Sequence, residues 1–297
     1  MHLIDHPKLT DRRLRPITGR RRLWLWIAVC LAGDAALQTA YAADNVDQAS
    51  VPGGVYVWTL AQGAEDVRFD GKPVLTTSSH ALVGIPMTQS PGDASLTFRV
   101  DGIAKTHTFA VTPKAYTEQR LTIENQAMVT PPAETLERIR SEATRQRRLY
   151  NRYLAEFHAA DGFHKPLDGI TTSLFGHRRI LNDKPRSPHS GLDIAAPTGT
   201  PVAAAGAGVV TLADELYFNG KTVFVDHGRG LITMYCHLSE LKAAEGEWVD
   251  LGQIIGLVGA TGRVTGPHLH WSVSLNGNRV DPTTFMQLFN QLTARFP

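Results

Sequence analysis

The 297 residues suffice for about two domains of ordinary size, and 42% hydrophobic with 20% charged residues is the mix of a globular protein that buries a core of its own. The net charge of +2 is concentrated: residues 1–42 hold seven Lys or Arg against three Asp, a net +4, so the remainder stands at −2. A slightly acidic body excludes the electrostatic footprint of nucleic-acid binding.

In chain order, Arg20-Arg21-Arg22 precede a short apolar run, Leu23 to Ala32, with further small and apolar residues to Ala42. Ala40-Tyr41-Ala42 has the small-x-small form of a cleavage site. This pattern predicts a secretory signal over residues 1–42, with the mature protein beginning at Ala43. The run is short for a bilayer span and Asp34 breaks it, though an uncleaved membrane anchor is the other reading. Cleavage removes Cys30 and leaves Cys236 alone, so stability in an oxidising compartment rests on packing without an internal disulfide.

Residues 43–115 read as short strands between turns. Val55–Trp58, Ala81–Ile85 and Leu96–Val100 are rich in β-formers, and Asp101-Gly102 marks a hairpin leading into His107–Val111. A small β-sandwich-like domain without chemistry of its own is expected there. Residues 116–162 are read as a linker and helix. Thr130 is a candidate cap and Pro131 suits the first turn, while Leu136, Ile139, Ala143, Tyr150, Tyr153, Leu154 and Phe157 recur at helical spacing. Arginines crowd the other positions. They predict either a patch for an anionic partner or, as the plainer reading, a solvated face of local ion pairs. Residues 163–297 turn β-rich again, with Asn219-Gly220 and Asn276-Gly277 as hairpin turns and a short closing helix near Thr283 to Leu292. The fold class is therefore mainly β, with antiparallel sheets.

The chemistry is concentrated in this last region. His268 and His270 lie two apart in a predicted strand opened by Pro267, so both side chains project from one face. His189-x-x-x-Asp193 and His237 in Tyr-Cys-His-Leu-Ser add further metal-ligating types. Imidazole and carboxylate are common zinc donors, and two His with one Asp leave a fourth position for water. A zinc ion lowers the pKa of such water toward about 7 and so supplies a nucleophile at neutral pH.

Taken together, these residues resemble the M23 peptidases, the lysostaphin or LytM type, over about residues 163–285. The resemblance is carried by Ser173–Gly176, Arg186–Asp193, Val225–Gly228, Tyr235–Ser239 and Gly262–His270. It implies a LytM-type antiparallel β-domain with Zn2+ held by His189, Asp193 and His270. It also implies that His237 and His268 are the catalytic histidines, one as general base and one orienting water or stabilising an oxyanion. The implied function is zinc-dependent hydrolysis of peptidoglycan cross-links, D-alanyl–diaminopimelate bridges in a Gram-negative wall. The implied location is the periplasm, and the implied partners are peptidoglycan peptide stems. A regulatory protein or the N-terminal region is expected to restrain activity. Cys236 and Trp271-Ser272 depart from the family pattern, and neither is expected to touch a ligand.

Two rivals are weighed. A cysteine peptidase would pair Cys236 with a histidine, but adjacent His237 should face the other side of the strand. A non-catalytic LytM-type module that activates wall amidases would have lost its ligands, whereas all five positions are filled here. His227 is read as structural and His177 as a candidate lining of the cleft.

Overall fold

The computed structural model describes residues 50–295, so the predicted signal over residues 1–42 lies outside the described residues. The described residues fall within one compact unit.

The first part is a two-sheet sandwich, as its turn pattern implies. A three-stranded sheet (Val55–Thr59, His80–Gly84, Leu75–Thr76) faces a four-stranded one (Lys72–Pro73, Glu65–Phe69, Gly92–Val100, Ile103–Val111). Alternating inward residues fill the gap: Trp58 and Val83 from one sheet meet Phe69, Leu96, Phe98 and Phe109 from the other. Asp101 and Gly102 take φ of 51° and 73°, the paired positive values of a type I′ hairpin.

The helix is shorter than the periodicity suggests. It runs Leu136–Tyr150, preceded by a 3-10 turn at Ala133–Thr135. Thr130 does not cap it, because Pro132 holds its predecessor out of the helical region and is itself extended at ψ 151°. Tyr153, Leu154 and Phe157 fall beyond its end in an irregular segment, where Phe157 bridges to Gly228.

The second part is built on an antiparallel sheet ordered Trp248–Val249, Gly208–Leu216, Gly220–Asp226, Leu231–Leu238, His268–Leu275, Leu192–Ala195 and Ile170–Ser173. Every residue of Leu231–Leu238 is buried, so both faces are covered. Ile232, Met234 and Cys236 pack under Leu149 and Tyr150 of the helix. Leu231 and Tyr235 enter the main core with Leu269, Trp271 and Val273 of the neighbouring strand. The Asn276-Gly277 turn is again type I′ in form, with φ of 42° and 83°. Asn219-Gly220 ends a wider connection, its strands closing at Leu216 and Gly220. The final helix spans Pro282–Arg295.

The two parts share a core. Val55, Leu75 and Leu82 are buried in the same cluster as Trp271 and Leu275. Asn276 accepts the Gly84 N–H at 2.7 Å and donates to the Gly84 carbonyl at 3.1 Å.

Candidate metal centre

His268, His270 and Ser272 follow the period-two rule and share one face of their strand, while Leu269, Trp271 and Val273 fill the core behind them. Antiparallel pairing sets Asp193 directly across from His270 and Ala195 across from His268. His189 lies just before the Asp193 strand, and the chain between them must pass hard against the His270 strand. A Cβ on Gly191 would stand 2.4 Å from the Trp271 carbonyl oxygen and 2.9 Å from His270 Cε1, which explains the glycine in His-Ser-Gly-Leu-Asp.

His189, Asp193 and His270 are buried and bring one donor atom each within 4.8 Å of the others. His270 Nδ1 is 2.7 Å from Asp193 Oδ1, His189 Nε2 is 2.9 Å from the same oxygen, and the two nitrogens are 3.0 Å apart. Neighbouring ligands about 2.1 Å from a tetrahedral zinc stand roughly 3.4 Å apart, so the spacing is close to that of a site.

The partners of the other ring nitrogens decide which atoms carry lone pairs. His189 Nδ1 lies 2.7 Å from the Leu174 carbonyl, which only accepts, so Nδ1 carries the proton and Nε2 is bare. Ser272 Oγ gives its proton to the Ser190 carbonyl at 2.8 Å and therefore accepts from His270 Nε2 at 2.9 Å, leaving His270 Nδ1 bare. Two imidazole lone pairs and a carboxylate oxygen thus converge. Burial pushes His270 down to about 4, against the raising effect of Asp193, so the ring is neutral at pH 7. Three mutually repelling acceptors in a buried place fit a cation, and the N, N, O donor set suits a divalent transition metal.

His237 and His268 complete the cluster. Their rings are 4.9 Å apart, and His268 Nε2 is 3.9 Å from Asp193 Oδ1. Each donates from Nδ1 to a carbonyl, His237 to Thr261 and His268 to Gly266, both at 2.8 Å, so both Nε2 atoms are acceptors. His237 reaches this position by breaking the pleat. The pairing register shifts between Lys221 and Val223, and His237 takes φ of 64°, a rare conformation for a residue other than glycine. Burial, followed by the neighbouring His268 and His270, holds its pKa well below the usual imidazole range.

Arg179 caps the other oxygen of the Asp193 carboxylate, bonding Oδ2. The linker approaches from the same side. Glu118–Leu121 pairs in parallel with Arg178–Leu181, and Leu121 and Ile123 line a small recess with Asp193, His237 and His268.

All five histidines and carboxylates expected from the motifs therefore meet in one place. His227 is fully buried, donating to the Ala207 carbonyl at 2.8 Å and meeting Thr233 Oγ1 at 2.7 Å, in keeping with a structural role. His177 stands beside the site, its carbonyl accepting the His189 N–H at 2.9 Å. The Cys236 thiol is pushed up to about 12 by burial, which removes it as a nucleophile at neutral pH. One expectation is corrected. Ser272 was expected to leave the ligands untouched, but its hydroxyl sets the His270 tautomer, as a residue two along the same strand face is placed to do. Thr261 and Arg179 escape the sequence reading, since no local pattern announces a partner brought in by the fold. On the helix, Arg138 pairs with Glu142 and Arg145 with Asp214 and Glu245, while beyond its end Arg152 pairs with Asp226, which favours the ion-pair reading.

Residues 187–282 match peptidase family M23, and residues 48–114 match the peptidase family M23 N-terminal domain. A crystal structure of a putative peptidase M23 from Pseudomonas aeruginosa is 40% identical, covers 81% of this chain and 96% of its own, and superposes with a TM-score of 0.68. The DD-carboxypeptidase/endopeptidase Mpg of Neisseria meningitidis is 47% identical over 96 residues, 32% of this chain and 22% of that protein. The peptidoglycan DD-endopeptidase ShyA of Vibrio cholerae is 45% identical over 111 residues, 37% of this chain and 26% of that protein. The chain thus matches only about a quarter of the length of these curated relatives.

Proposed function

Because the chain belongs to peptidase family M23, we propose that it is a zinc endopeptidase of the periplasm that hydrolyses peptidoglycan cross-links, in particular the D-alanyl–diaminopimelate amide. The observation that carries this reading is the convergence of three bare acceptor atoms, on His189, Asp193 and His270, beside two further histidines whose Nε2 atoms are also free to accept. His189 Nε2, Asp193 Oδ1 and His270 Nδ1 would hold the metal. When bound, zinc supplies Lewis acidity, polarising a carbonyl and making water acidic enough to attack at neutral pH.

The side chains then divide the proton work. His268 Nε2, closest of the two to the ligand carboxylate, takes the proton from the attacking water and returns it to the departing nitrogen. His237 is held neutral with its proton on Nδ1, so its Nε2 cannot donate to an oxyanion. Of the two roles open to it, it orients the water by accepting the second hydrogen. Arg179 pairs with the second oxygen of Asp193 and so holds the carboxylate turned toward the ligand position.

The same reading makes the linker an intramolecular restraint. Leu121 and Ile123 share the lining of the recess beside His237 and His268, which supports the view that the N-terminal region holds activity down until it shifts.

The test is mass spectrometry of purified cross-linked muropeptides incubated with the zinc-loaded protein and with His270→Ala, alongside metal analysis. Conversion of dimers to monomers by the wild type, with turnover and bound zinc lost together in the variant, is expected. A wild type that carries zinc yet leaves dimers intact would instead favour a wall-binding module.

A further inference from the structure

The cleft leading to the ligands, about 350 Å³, is lined by Arg179, Arg186, Arg263 and Arg279 and, among the described residues, by neither Asp nor Glu. Three of these guanidiniums gather next to the metal position. Arg179 and Arg186 stand together because the backbone of Arg186 donates to the Arg179 carbonyl at 2.9 Å across their hairpin. Arg263 lies over the Phe218 ring, 4.5 Å from its centroid. Among the described residues, Asp193 is the one carboxylate that pairs with any of the three, and it belongs to the proposed ligand set.

Like charges packed into a half-buried cleft repel, and here the repulsion is visible. Burial first, then Arg179 and Arg186, bring Arg263 down to about 10. The Nε atoms of Arg179 and Arg186 are also buried without a hydrogen-bond partner, two guanidinium donors left unpaired within this cluster. Guanidinium forks of this kind match a planar carboxylate, to which they bind in bidentate fashion.

We infer that Arg263 and Arg186, with Arg179 between them and the metal, form a subsite for a free carboxylate on the residue that leaves with the scissile nitrogen. This rests on the peptidase reading and names what selects its substrate. In a D-alanyl–diaminopimelate bridge, the carbon attached to the scissile nitrogen carries a carboxylate, two bonds from the bond that breaks. An amide within a glycine bridge has no charge there. The same subsite accepts the terminal residue of an uncrosslinked stem ending in D-alanine, whose α-carboxylate occupies the equivalent place.

The experiment compares two dimeric muropeptides, one with this carboxylate free and one with it converted to the carboxamide. Both are given to the zinc-loaded wild type, Arg263→Gln, Arg186→Gln and Arg263→Lys. Zinc content and thermal unfolding are measured on each protein. Calorimetry compares binding of the monomeric amine product with that of its amide.

The wild type is expected to favour the carboxylate by about tenfold or more in kcat/KM, the scale of a charge-assisted hydrogen bond. The two Gln variants bring that ratio toward one and lose the matching difference in product affinity, and Arg263→Lys restores part of both. Equal rates on the two dimers in the wild type would overturn the subsite while leaving the peptidase standing. A preference untouched in both Gln variants would overturn its assignment to these arginines. If the zinc-loaded wild type cleaved neither dimer, the peptidase reading would fail first and take the subsite with it.

Discussion

Ser272 holds His270 in one tautomer: the ring donates from Nε2 to Ser272 Oγ at 2.9 Å because that hydroxyl has already given its proton to the Ser190 carbonyl at 2.8 Å. The lone pair of His270 Nδ1 is thereby turned toward Asp193 and His189. A serine two residues along the strand thus does what a carboxylate or carbonyl does behind many metal-bound histidines.

Ser272→Ala should therefore weaken zinc binding by about 10–100-fold with little change in fold. Competition with a chelator of known affinity measures this directly. An unchanged zinc affinity would show that the hydroxyl is dispensable to the ligand.

His237→Gly should separate chemistry from metal binding. Glycine accepts the φ of 64° without strain, so the strand keeps its bulge, and His237 is not among the three candidate ligands. We expect kcat to fall by about 10²–10³ with zinc content unchanged. Loss of zinc together with activity would move His237 into the ligand set.

Paired polar substitutions in the linker, Leu121→Ser with Ile123→Ser, should raise kcat/KM several-fold on soluble muropeptides if these side chains restrain the groove. A fall in kcat/KM at unchanged thermal stability would show that they form part of the substrate-binding wall.

Stability should depend on pH through His227, which lies away from the metal cluster. Burial lowers its pKa from 6.5 to about 4 in the folded protein. Between those values the unfolded chain binds more protons than the folded one, so stability is full above about pH 6.5 and is lost as pH falls toward about 4. The loss amounts to roughly 3 kcal/mol. Chemical denaturation of His227→Gln across this window should show a flatter pH dependence than the wild type, although the variant starts from lower stability. Equal slopes would remove His227 as the cause.

Much of the site is legible in the order of the residues, for a local reason. His268 and His270 share a strand face by the pleat alone, and Asp101-Gly102 and Asn276-Gly277 specify turns through the two positive φ values each requires. His189 and Asp193 sit four residues apart in a motif whose glycine records a close backbone approach. The helix start is the exception. Pro131-Pro132 resembles a first turn, whereas the second proline excludes helix from the residue before it.

The amino-acid sequence by itself determined the mainly β architecture, the donor types and the five residues that carry them. Only the tertiary structure decided how those residues are used. The Cys236–His237 bulge depends on how Leu231–Leu238 pairs with its neighbour, and the tautomers depend on the carbonyls of Leu174, Thr261 and Gly266. The arginine cluster depends on a hairpin folding beside a distant loop. Side-chain identity and strand periodicity are local properties of a chain, whereas a ring's proton and a charge's neighbours are set by groups far apart in sequence that packing alone brings within hydrogen-bond range.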